Sequence, residues 1–326
     1  MGAAELRIVF IFVDLILPLV VGYGLKKINR LTAGQCNWLI RFNIIVIFTI
    51  LSILSFWVMP LRAELIMLPF FGFFCSAVPL GIVYFFHLQK KFPDILEQGS
   101  YIITAIPANI GTMGGLCAFI LYGEVGFAYA QMVGVFQNLV MLFVCFPMGY
   151  YFKFRSIHTD EPFAMGNLNW RSVFINWNQI SVMGMLLGIV LYIMHVPRPE
   201  VLNMMFQALV HFGAWFALIP IGYMIDFSGL KKYYWSTFDL VPIKMIVTPA
   251  ICYLIASLFT RDAVLLGSVI ILMAAPCAIN ALITVRLYGL NINLSMAPFI
   301  TTVGLYILVL FPAFYLFVVN GILPFK

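Results

Sequence analysis

Two short stretches place helix-breaking and polar residues where an apolar helix can least accommodate them. "AIPANIGTMGG" (105–115) sets Pro107 two residues before Asn109, and "MAAPCAINALIT" (273–284) sets Pro276 four residues before Asn280. Proline has no N–H and clashes with the carbonyl one turn back, so each should open its helix. Lipid offers the freed backbone groups no water in exchange. The chemistry that follows is anion binding. The N–H groups that start the second half-helix, around Ile110, Gly111 and Thr112 in one stretch and Asn280, Ala281 and Leu282 in the other, carry the positive end of a helix dipole. Gly111, Gly114 and Gly115 let a ligand or a neighbouring helix approach the backbone. A carboxylate can then be held without a buried Lys or Arg. The amides of Asn109 and Asn280 can donate to it, or can instead satisfy the opened backbone.

The elements that position these breaks are membrane helices. Of 326 residues, 63% are hydrophobic and 9% charged, a balance that a water-soluble domain could not bury. Ten apolar spans are expected near 7–25, 36–59, 65–87, 101–123, 126–152, 177–196, 201–226, 239–259, 263–288 and 295–320, at roughly 20 residues per crossing. The start, "MGAAELR", lacks the basic run of a signal peptide, and the first span is expected to be retained. The six cysteines show neither metal-ligand spacing nor a pairing pattern and read as small core residues. No metal and no cofactor are expected.

In a membrane protein the net charge of +6 serves orientation first, and no nucleic-acid partner is expected. Odd-numbered loops hold Lys26, Lys27, Arg30, Lys90, Lys91, Lys153, Arg155, Arg171, Lys231, Lys232 and Arg286; even-numbered loops hold only Arg62, Arg198 and Arg261. Odd loops are therefore expected in the cytoplasm and both termini outside the plasma or bacterial inner membrane. The sequon Asn293-Leu294-Ser295 falls in an odd loop and should be unused. "NLNWRSVFINW" (167–177) reads as an amphipathic helix on the cytoplasmic surface.

That hydrophilic stretch splits the chain into a five-helix repeat over 1–152, a linker over 153–176 and a second five-helix repeat over 177–326. An odd number of spans per half inverts the second half, the plan of many secondary transporters, whose sites lie at the midplane between discontinuous helices. The breaks in spans four and nine occupy matching places. "LTAGQCNWLIRFN", "IPANIGTMGG" and "AAPCAINALITVRLYGLNINLSMAPFITTVGLYILVLFP" resemble the auxin efflux carrier family, within the wider bile acid, arsenite and riboflavin transporter superfamily. The resemblance covers nearly the whole chain. It implies an all-α membrane protein with ten helices in inverted repeats, crossed broken helices four and nine, a scaffold of spans one, two, six and seven, an elevator-type transport domain, and a homodimer. It does not imply auxin, since the family takes several carboxylates. Nor does it imply loop phosphorylation, since the linker is short.

The expected substrate site is Pro107, Asn109, Ile110, Gly111, Thr112, Pro276, Asn280 and Ala281, with Gln137 and Asn138 either lining it or bonding neighbouring helices. Asn43, Gln207, Thr301 and Thr302 are less favoured. Asp14, deep in span one, either carries a proton during transport or is a paired structural carboxylate, and His211 has the same two readings. Lys244 and Arg286 are expected toward the cytoplasmic side, pairing with Asp226 or Asp239 or drawing anions to the entrance. The function expected is a secondary carrier of a small organic anion embedded in lipid. A carrier-like sensor or a channel is the alternative. An enzyme is not expected: there is no HExxH, no P-loop and no Ser-His or paired-Asp constellation, and His87, His158, His195 and His211 lie in separate segments.

Overall fold

The computed structural model describes residues 11–59, 62–158, 180–225 and 230–325. The expected surface helix at 167–177, the first residues of the chain and Asp226 lie outside the described residues. The described chain is helical: α1 (11–27), α2 (Ala33–Val58), α3 (Ala63–Phe85), α4 (Ile95–Ala105), α5 (110–122), α6 (124–157), α7 (Ile180–Ile193), α8 (Val201–Met224), α9 (Leu240–Phe259), α10 (Ala263–Met273), α11 (Ile279–Leu287) and α12 (Ile292–Val319). Gly123, at φ 64°, turns the chain sharply between α5 and α6. Among the described residues, six helices are long and apolar enough to cross a membrane, and their outer faces expose Phe85, Ile246, Leu258 and Leu308. This is an all-helical membrane protein.

Helix starts follow local chemistry. Thr32 and Gln35 form a capping box before α2, Thr32 Oγ1 accepting from Gln35 N at 3.3 Å and Gln35 Oε1 accepting from Thr32 N at 2.9 Å. Asp94 caps α4 through Leu96 N, so this helix starts six residues before the expected span at 101. The polar residues ahead of that span are held inside the protein: Glu97 accepts from Tyr233 Oη (2.7 Å) and Asn291 Nδ2 (3.3 Å), and Ser100 Oγ accepts from Asn291 N (2.8 Å).

Pro79, Pro220 and Pro298 lie inside helices, and two further groups of prolines contrast. Pro18, Pro147, Pro249 and Pro312 each directly follow a widened, π-type turn, at Ile11–Ile16, Met141–Cys145, Ile243–Val247 and Tyr306–Leu310, with one residue between. Widening the turn relieves the clash and the missing N–H without ending the helix. Pro107 and Pro276 instead lie between helices, after α4 has ended at Ala105 and α10 at Met273.

Helix pairs approach closely where glycine removes the side chain. A Cβ on Gly22 of α1 would sit 2.0 Å from Ile219 O, and one on Gly222 of α8 would sit 2.1 Å from Leu19 O. Beside this contact Asp14 Oδ2 meets His211 Nδ1 at 2.5 Å. On another side, Arg198 grips Glu124 with both terminal nitrogens (2.7 and 2.9 Å) and donates to Leu54 O (2.8 Å), tying the start of α6 to α2. Replacing Gly22 or Gly222 by Val should drive α1 and α8 apart and lower the melting temperature in detergent, at about 1–3 kcal/mol or more for overpacking. Gly24→Ala, which meets open space, should melt close to the parent.

Candidate functional site

The two chain breaks meet. Ala108 and Cys277 form one isolated antiparallel bridge, in which Asn109 N donates to Pro276 O at 2.7 Å and Ala278 N donates to Pro107 O at 3.3 Å. Each break thus supplies the partner that its own helix no longer provides, and each proline contributes the carbonyl that accepts. Side chains meet further groups of the two breaks. Gln137 Nε2 donates to Ala108 O. Thr302 Oγ1 accepts from Cys277 N at 3.1 Å, and Tyr306 Oη donates to Ile271 O at 3.0 Å.

Lys244 completes the first break. Its side chain is buried, and Nζ donates to Ala105 O at 2.8 Å and to Pro107 O at 2.9 Å. Its ammonium is thus held inside the protein rather than free to draw anions from solvent. Nor does it pair with Asp239, which accepts instead from Lys91 Nζ and Tyr101 Oη, both at 2.6 Å. Among the described residues no carboxylate forms an ion pair with Lys244.

Past the bridge, α5 and α11 begin on the wall of one cavity. After Ile110 N, which turns back to Ala108 O, the next N–H to find a backbone acceptor is that of Gly114, bonded to Asn109 O at 2.9 Å. On the other side Ala281 N reaches Ala278 O at 3.2 Å, and Ile279 and Asn280 precede it. The cavity holds about 130 Å³, against roughly 10–15 Å³ for one water, and so admits a small organic molecule. Of the expected site residues, Asn109, Ile110, Gly111, Thr112, Gln137, Asn138 and Asn280 line it. Pro107, Pro276 and Ala281 do not: the prolines belong to the bridge, and Ala281 is fully buried in the core behind it. Asp14 is also absent from the lining.

Gln131 adds polarity that the sequence reading missed, and Asn43, less favoured there, also lines the cavity. Gln131 stands with Gly134, Val135 and Asn138, one face of α6 at the spacing i, i+3, i+4, i+7. That periodicity, extended back from Asn138, is the signal that could have found Gln131. Asn43 and Ile40 come from α2. Three buried polar atoms on this wall have no hydrogen-bond partner: the donors Asn109 Nδ2 and Gln131 Nε2 and the acceptor Asn43 Oδ1. Asn109 Oδ1 is already used, accepting from Thr112 Oγ1. Among the described residues, no Lys, Arg, Asp or Glu lines the cavity.

The division between satisfied and free groups has a measurable consequence. Gln137→Leu strands Ala108 O and should lower stability by about 1–3 kcal/mol. Asn109→Ala removes an unpartnered donor and one local acceptor, and thermal melting of the unliganded protein should show the smaller loss. No protein-family model matches the chain and no curated protein matches it, so the functional reading rests on the geometry of this cavity.

Proposed function

We propose that the protein is a secondary carrier for a small organic anion, a carboxylate, bound between the two broken helices. One observation carries this reading: two half-helix N-termini and two unpartnered amide donors, Asn109 Nδ2 and Gln131 Nε2, share one cavity whose wall holds no charged side chain. Discontinuous helices whose N-termini face an anion are the substrate sites of many secondary transporters. The similarity of the quoted motifs to the auxin efflux carrier family points the same way. In this reading the chain makes ten crossings as two inverted five-helix repeats, with both termini outside the cell membrane, and forms a homodimer. The paired breaks support the inverted plan. So do the glycine contacts, since α1 packs on α8 at Gly22 and Gly222, while α7 packs on α2, where a Cβ on Gly184 would lie 2.7 Å from Thr49 O. Those two pairings exchange under a two-fold relation of the halves, and they group the helices that would form a scaffold.

The driving force is the anion's own gradient and the membrane potential. Asp14 and His211, the candidates for proton coupling, are bonded to each other outside the cavity lining, which favours a structural role. Asp14→Asn should therefore destabilise the protein while leaving the pH profile of flux unchanged; a lost pH dependence would assign Asp14 to coupling.

The direct test is thermal stabilisation of the purified protein by mono- and dicarboxylates, followed by flux of any hit in liposomes. Asn109→Ala and Asn280→Ala should each weaken binding by roughly five- to 150-fold, equivalent to about 1–3 kcal/mol for a bond to a charged group. Pro107→Ala and Pro276→Ala should reduce transport more than Pro312→Ala, whose proline sits beyond a widened turn. Saturable countertransport marks a carrier, non-saturating flux a channel, and binding without flux a sensor. Well-folded variants that bind and move substrate as the parent does would place the site elsewhere.

A further inference from the structure

The two breaks differ in what meets their freed backbone groups. At the second, the carbonyl of Ile271 and the N–H of Cys277 are met by neutral hydroxyls, those of Tyr306 and Thr302. At the first, the carbonyls of Ala105 and Pro107 are met by a cation, the ammonium of Lys244, with its side chain buried and no carboxylate paired to it among the described residues. A buried, unpaired ammonium is among the most unfavourable groups to place in a protein interior, so a hydrogen bond that a serine could make does not account for it. What it meets is the negative end of α4, whose last carbonyls have lost their helical partners. Unwound carbonyls at the ends of half-helices are also the groups that coordinate small cations in secondary transporters.

We infer that Lys244 is a tethered cation: its ammonium occupies, covalently fixed, the position at the end of α4 that would otherwise take a free monovalent cation, and it holds the break open. Lys244 is thus a positioning residue, acting on the cavity through Pro107 and the bridge. In combination with the carrier reading, on which this consequence rests, the first break needs no inorganic ion to bind substrate.

The test is melting of the purified full-length protein in sodium, potassium, choline and propylammonium chloride at equal ionic strength. The parent should melt alike in all four. Lys244→Met, which fills the space without charge, should melt lower by roughly 5–15 °C and respond to none of them. Lys244→Ala leaves the space empty, and sodium or propylammonium should restore part of its loss where choline, too large for the gap, does not, because a ligand that binds only the folded state stabilises it. A Lys244→Met protein as stable as the parent, or a Lys244→Ala protein that no small cation stabilises, would overturn the inference. Should Lys244→Ala be recovered folded in none of the four salts, Lys244→Arg decides: melting near the parent supports a required charge, and a loss as large as that of Lys244→Met overturns it. These measurements need neither substrate nor flux. Cation rescue with no carboxylate binding in any variant would leave the role of Lys244 standing while removing the carrier reading.

Discussion

A peptide group cut out of its helix inside a bilayer must find another partner, and here the two cuts find each other. Asn109 N to Pro276 O and Ala278 N to Pro107 O form the shortest possible sheet, one residue from each chain segment. Neither break can be satisfied alone at this point, because each lends the carbonyl that the other's N–H requires. The first and second parts of the chain are therefore fixed against one another at the level of the backbone, before any side chain is considered.

The surrounding polar residues sort themselves by that requirement. Gln137, Thr302, Tyr306 and Lys244 close the accounts of the broken ends, and so they hold the bridge rather than a ligand. Asn109 Nδ2 and Gln131 Nε2 stay without partners. A buried amide donor left open is unfavourable by about 1–3 kcal/mol, which a protein retains where something else completes the bond. Those two donors share one cavity wall with a third unpartnered atom, Asn43 Oδ1.

Much of the architecture could be read from residue types. The Pro-x-Asn and Pro-x-x-x-Asn spacings marked the places where helices end, and they end at Ala105 and Met273. Apolar runs placed the helix interiors, but boundaries moved wherever polar residues were satisfied by distant partners: α4 begins at Ile95 because Glu97 and Ser100 are met by Tyr233 and Asn291, far along the chain. The same cause hid Lys244. A lysine five residues inside the start of an apolar helix looks able to reach the surface, and only the fold brings the carbonyls of residues 105 and 107 to it. Gln131 was within reach of a helical-face argument, whereas the identity of the residue that satisfies the bridge, Gln137, depends on how α6 packs beside it.

The placement of the buried Lys244 ammonium outside the cavity has a physical logic. An ammonium in direct contact with a carboxylate in a low-dielectric pocket would form a buried ion pair that is difficult to separate, a poor arrangement where the ligand must leave. Set behind the bridge and bonded to two carbonyls, Lys244 still contributes positive potential across the break, since no carboxylate among the described residues neutralises it by pairing. In the proposed carrier, contact with the anion would be left to amide groups and helix ends, each of which interacts more weakly than a full charge. Attraction and release would then fall to different groups, the first to a charge that never touches the ligand and the second to dipoles that do.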